Sequence, residues 1–220
     1  MGIVGLFYVG VVLFINGLML VGLVDAKAAA PLNLFVGGLQ VVTPTYLIFT
    51  ANGDPAKILA ASGLYLFGFT YLYVGIGLLA DLDSTGVGYF SLFVAIAALG
   101  YSWVNFALVG DPAFGVIWIF WAFLWALFFV LLGLKHEGLT RYTGWVTAIE
   151  GWVTAAIPAF LLLTGLWPAS ATYAMALGAF GVVVFIALIP ITRHYEPRGG
   201  TPTHAPRPDL PARPPAEQKG

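Results

Sequence analysis

The sequence predicts an all-α integral membrane protein of seven spans, and three observations carry that prediction. Hydrophobic residues fill 60% of the 220 positions and charged residues only 9%, with a mean hydropathy of +0.93. A soluble domain of this size carries roughly 25–35% charged residues on its surface, so the solvent for this chain is lipid. The apolar residues also fall in long unbroken runs, without the alternation over about ten positions that marks barrel strands. Finally, hydrocarbon demands internal pairing of every backbone N–H and C=O, and unbroken apolar runs meet that demand only as helices.

A helical span takes about 20 mostly apolar residues. The stretches 2–24, 32–51, 58–80, 87–109, 113–134, 143–166 and 170–191 qualify. The first follows Met1 with no basic leader, so it is expected to remain as a span. Turn chemistry separates the others. The breaks are Asp25 to Pro31, Asn52-Gly53-Asp54-Pro55, Asp81 to Gly86, Gly110-Asp111-Pro112, Lys135 to Arg141, and Trp167-Pro168. Pro44 and Pro158 are expected to kink their helices. Residues 1–194 thus read as one transmembrane domain, and the proline-rich stretch 195–220 as a disordered tail that cannot bury a core.

Basic residues orient the bundle. With seven spans, Lys27, Lys135, Arg141, Arg193, Arg198, Arg207, Arg213 and Lys219 share one side, and Lys57 stands alone on the other. This predicts an inner-membrane protein with its N-terminus outside and its tail in the cytoplasm. The chain has no cysteine, which excludes disulfides and thiolate metal sites. His136, His194 and His204 show no metal-ligand spacing. No nucleophile and base are paired and no phosphate loop occurs, so nothing points to an enzyme, a cofactor or a nucleic-acid partner.

An internal echo is visible. Tyr8-Val9-Gly10 precedes Leu34-Phe35-Val36, and Tyr73-Val74-Gly75 precedes Leu92-Phe93-Val94. Such pairs suggest repeated helical hairpins, a common way to surround a transport path.

Glu150 is the only carboxylate well inside a predicted span, roughly 10 Å from Thr143 at its cytoplasmic end. An intramembrane charge is costly and normally faces a cavity or a partner. No Lys or Arg falls within a predicted span to pair with it. In the fifth span Phe114, Trp118, Trp121 and Trp125 fall within an arc of about 60°. Tight membrane interfaces favour small residues, so stacked indoles suit the wall of a slot better than a helix contact. Leu64, Phe67 and Tyr71 offer a second edge on the third span. Spacing places Phe67 with Trp118 or Trp121, and Trp125 with Glu150. Asn16, Gln40, Thr43, Thr70 and Asn105 are expected to form interhelical hydrogen bonds.

The runs Leu66-Phe67-Gly68-Phe69-Thr70-Tyr71-Leu72-Tyr73, Asn33-Leu34-Phe35-Val36-Gly37-Gly38-Leu39 and Tyr89-Phe90-Ser91-Leu92-Phe93-Val94-Ala95-Ile96 carry a further signal. Together with Trp118, Trp121, Trp125 and Ile149-Glu150-Gly151, they resemble the AmiS/UreI family of urea and short-chain amide channels, in order over residues 1–167. The resemblance implies a homohexamer whose protomer is a six-helix bundle of three hairpins around a pore, here with a seventh transmembrane helix as in the amidase-associated branch. It implies passage of urea or short aliphatic amides to a cytoplasmic amidase or urease. It also implies an outer constriction at Leu6, Phe67, Tyr71, Phe114 and Trp118, and an inner one at Val9, Leu13, Trp121, Leu124, Trp125 and Glu150.

Two features depart from the acid-activated urea channel. Phe114 stands where that channel has tryptophan, which implies a wider outer slot. The loop from Ala51 to Lys57 is short and lacks histidine, which argues against acid gating. Within this reading a flat neutral amide slides between rings while Glu150 supplies acceptor oxygens. Its rivals are a proton-coupled amide transporter using Glu150, a seven-helix receptor and a structural assembly factor.

Overall fold

Helices account for nearly all of the structure, a computed structural model that describes residues 2–193. The expected disordered tail, 195–220, lies outside the described residues. Among the described residues, seven helices are long and apolar enough to cross a membrane: α1 Gly2–Leu20, α2 Ala26–Phe49, α3 Pro55–Ala80, α4 Thr85–Val109, α5 Pro112–Gly133, α6 Glu137–Leu163 and α7 Ala171–Arg193. The chain is a multi-pass membrane protein.

Local chemistry sets the helix ends. Asp25 and Asp54 accept N–H bonds from the first turns of α2 and α3, and Asp111 accepts the Phe114 N–H at the start of α5. Pro55 and Pro112 sit in first-turn positions where a missing N–H costs nothing. Gly110 ends α4 in the left-handed region, at φ 75°. The Asp25 cap starts α2 well before the predicted residue 32, because Pro31 is carried inside the helix. α6 likewise begins at Glu137 and not at 143. Ahead of Pro158, residues Gly151–Ala156 form a π-helical stretch that absorbs the proline's missing donor.

The most extensive interfaces join α2 to α3, α4 to α5, and α1 to α6. Three antiparallel pairs therefore make the six-helix bundle. Two are sequential hairpins, whereas the third pairs the first span with the sixth and closes the ring. The echo suggested hairpins of the first span with the second and of the third with the fourth. Those are minor interfaces here, although the echoed positions match in burial. Gly10 packs on the α6 backbone and Gly75 on α2, while Phe35 and Phe93 point outward and Val36 and Val94 are buried. α7 lies outside the ring, its Phe185 against Phe120 and Phe123 of α5 with ring centroids 5.4 and 4.9 Å apart.

At the end of the bundle where α1, α3 and α5 finish, two exposed ion pairs tie loops together. Lys27 Nζ lies 3.2 Å from Asp81, and Lys135 Nζ 2.9 Å from Asp83. Asp83 is held well below the usual carboxylate range, first by hydrogen bonding from Thr85 and then by Lys135. Such pairs contribute little energy in water, but they fix the loops around one mouth of the bundle.

Candidate functional site

Helices α1, α3 and α5 carry the inward faces. Their side chains enclose two cavities stacked along the bundle. The larger, about 800 Å³, opens at the end where α1 begins. Leu6 and Val9 of α1, Phe67 of α3, and Phe114, Trp118 and Trp121 of α5 line it, with Gln40, Tyr101 and Asn105 from the outer row of helices. The smaller, about 150 Å³, reaches the opposite end at Asp83 and is lined by Leu13, Phe67, Tyr71, Trp121, Leu124 and Trp125. Phe67 and Trp121 belong to both walls. The two cavities meet at that pair.

Ring geometry explains the narrowing. The Phe67 ring lies 4.8 Å from Trp121 at 81° and 4.8 Å from Trp125 at 63°. Trp118 meets Trp121 edge-on at 4.9 Å, and Tyr101 stacks on Trp118 at 4.6 Å and 19°. Edge-to-face and offset-stacked contacts are the favourable arrangements for such rings. The Trp121 indole is also locked in place, since its Nε1 donates to Thr154 Oγ1 at 2.8 Å. Thr154 in turn donates to the Glu150 main-chain carbonyl at 2.6 Å.

Glu150 is 2% exposed, and neither carboxylate oxygen has a hydrogen-bond partner. Because α5 and α6 run antiparallel, Glu150 lies one turn, about 6 Å, beyond the Thr154–Trp121 bond, at the depth of Trp125. Unlike the other residues of the expected path, it lines neither large cavity. A crevice between α5, α6 and α7, bounded by Phe120, Thr154 and Phe185, touches it instead. The Tyr71 hydroxyl is also buried and unpartnered. Of these two orphaned polar groups, Tyr71 lines the smaller cavity and Glu150 borders the crevice toward α7.

The polar residues expected as interhelical bonds divide. Asn16 and Asn33 do form one, donating to each other at 2.9 and 2.7 Å. Thr70 and Asn105 instead bond the Leu66 and Tyr101 carbonyls of their own helices. The Gln40 amide has no partner at either atom. Sequence reading passed over Tyr101 and Thr154. Thr154 stands four residues after Glu150 on the same helix face, a spacing that could have flagged it.

The AmiS/UreI family transporter profile matches residues 1–166. The chain belongs to the AmiS/UreI family. An amidate substrates transporter protein of Mycolicibacterium smegmatis is 56% identical over 193 residues, spanning 88% of this chain and 91% of that one. The transporter protein AmiS2 of Rhodococcus erythropolis is 59% identical over 165 residues, 75% of this chain and 80% of its own. Among solved structures, the urea channel of Helicobacter pylori superposes with a TM-score of 0.69 at 33% identity, over 76% of this chain and all of that one. The family match thus ends with α6, and α7 lies beyond it.

Proposed function

We propose that this AmiS/UreI protein is a passive channel for urea or short aliphatic amides in the bacterial inner membrane, supplying a cytoplasmic amidase or urease. The observation that carries this reading is the stacked pair of cavities meeting at Phe67 and Trp121. A flat, neutral solute matches a ring-lined junction of this shape, whereas an ion would lose hydration there with no compensating ring of charge. The names of its relatives, an amidate substrates transporter and a urea channel, point to the same solutes.

The proposed path runs past Leu6, Val9, Leu13, Phe67, Tyr71, Phe114, Trp118, Trp121, Leu124, Trp125 and Glu150. The split of basic residues sets the larger cavity outside and the smaller inside. The broad apolar exterior, with Phe35, Phe49 and Phe93 exposed, provides for lipid and for neighbouring copies in a homo-oligomer, six by the family resemblance.

A flux assay in proteoliposomes tests the reading, with urea and acetamide offered with and without a proton gradient. Downhill flux of at least one solute, unchanged by the gradient, is the expected outcome. Accumulation driven by the gradient would replace the channel with a proton-coupled transporter, for which the buried Glu150 would be the relay.

A further inference from the structure

Gln40 is 1% exposed, lies on the wall of the larger cavity, and has no hydrogen-bond partner at Oε1 or Nε2. A buried amide left unpaired costs free energy that an ordinary helix contact would not leave standing. Its setting is specific. The amide sits in a notch in α1 opened by Gly5, where an added Cβ would fall 2.5 Å from Gln40 Oε1 and 3.3 Å from its Cδ. On the other side, a Cβ at Gly68 of α3 would fall 2.9 Å from the Gln40 main-chain carbonyl. Gly68 follows Phe67, so Gln40 stands beside the narrowing where the two cavities meet. Pro44 lacks the N–H that would otherwise bond the Gln40 carbonyl, which frees a further acceptor on the same turn.

The chain already shows what such an amide pairs with. Asn16 and Asn33 bind each other as reciprocal carboxamides, N–H to C=O in both directions. We infer that Gln40 is an amide-recognition point in the outer half of the path, its amide seated in the space that Gly5 leaves beside the larger cavity. There it forms the same reciprocal pair with a primary carboxamide, or with urea, that has shed its water. This rests on the channel reading above and extends it to a residue that chooses the solute by hydrogen bonding as well as by shape. A primary amide presents a carbonyl and an N–H on one edge. In trans N-methylacetamide the methyl group occupies that edge position, so the two-bond pair cannot form.

The test compares permeability to dilute acetamide and to dilute N-methylacetamide in proteoliposomes, per assembled protein, for wild type, Gln40→Met and Gly5→Ala. Wild type is expected to favour acetamide. Gln40→Met should lower acetamide permeability about tenfold, the order of one to two ordinary hydrogen bonds, and leave N-methylacetamide nearly unchanged. Gly5→Ala should shift the ratio the same way, because the new methyl displaces the amide from its notch. An unchanged ratio in either assembled variant would overturn the Gln40 assignment while leaving the channel standing. Wild-type protein that passes neither urea nor acetamide above protein-free vesicles would overturn the channel reading, and this inference with it.

Discussion

A carboxylate with 2% exposure and no hydrogen bond is the least comfortable group in the bundle. Its position asks for a role. It stands at the depth of Trp125 and the unpartnered Tyr71 hydroxyl but borders the crevice toward α7, so it offers acceptors to a passing amide only by turning toward the proposed path. Glu150→Gln keeps a carbonyl acceptor and is expected to lower flux only a few-fold. Glu150→Leu removes every acceptor and is expected to lower it by about a hundredfold, consistent with leaving a polar solute unpaired in a dry site. Flux normalised to assembled protein separates the two variants, and undiminished flux in assembled Glu150→Leu would remove Glu150 from the path. The sequence made the type of residue at this level legible, because one carboxylate in an apolar run is conspicuous. Periodicity likewise made the Trp118, Trp121 and Trp125 stripe legible. Which amides find partners was not legible. Asn16 is paired and Gln40 is not because of where α1 and α2 cross in space, and no local pattern encodes that.

Helix pairing is decided by where backbones can touch. The α1–α6 contact, between the segments farthest apart within the ring, depends on glycines seven residues apart on each helix. Gly10 lies against the Gly151 carbonyl, where an added Cβ would fall 2.6 Å away, and Gly17 lies against Gly144 and Ala148, at 2.6 and 2.5 Å. Small residues let membrane helices approach closely enough for packing to hold them where no hydrophobic gradient acts. Gly17→Ala is therefore expected to destabilise the ring by about 1–3 kcal/mol, the usual cost of overpacking a tight contact. Gly100→Ala, which meets nothing within 4 Å, should be neutral or slightly stabilising through helix propensity. Thermal unfolding in detergent of both variants checks this, and equal melting temperatures would mean that the closure of α1 on α6 does not depend on glycine. The spans themselves were plain from hydropathy. Their partners were not: the echo of Tyr8-Val9-Gly10 in Tyr73-Val74-Gly75 suggested pairing of the first span with the second and the third with the fourth, whereas its glycines contact α6 and α2. The early start of α2 was hidden because Pro31 reads as a break, whereas the Asp25 cap fixes the helix six residues ahead of it.

The whole molecule presents two faces with different charge, and gating by acid would have to enter through the outer one. In the proposed orientation that face holds the loops at 50–54, 110–111 and 164–170, and none contains histidine, the side chain that titrates near neutrality without perturbation. Asp54 lies next to Pro55, which lines the larger cavity, and its bond from the Lys57 N–H holds it below the ordinary range. A depressed pKa means the charged form is the one the fold favours, so Asp54 stays ionised as pH falls from 7 to 5 and its cap on α3 stays intact. Asp111 is engaged by the Phe114 N–H at 3.0 Å and by Trp167 Nε1 at 2.8 Å, which ties the outer end of α5 to the segment leading into α7. An outer mouth braced in this way has no hinge for a modest proton load to release. Solute uptake is therefore expected to vary less than about twofold between external pH 7 and 5. The measurement is made in cells whose orientation is first confirmed by a reporter fused after Gly220, which should be active only in the cytoplasm. A steep rise in uptake below about pH 6 would show that a buried group, Glu150 foremost, titrates in the working range. It would return this chain to the acid-activated mode that its short, histidine-free outer loop argues against.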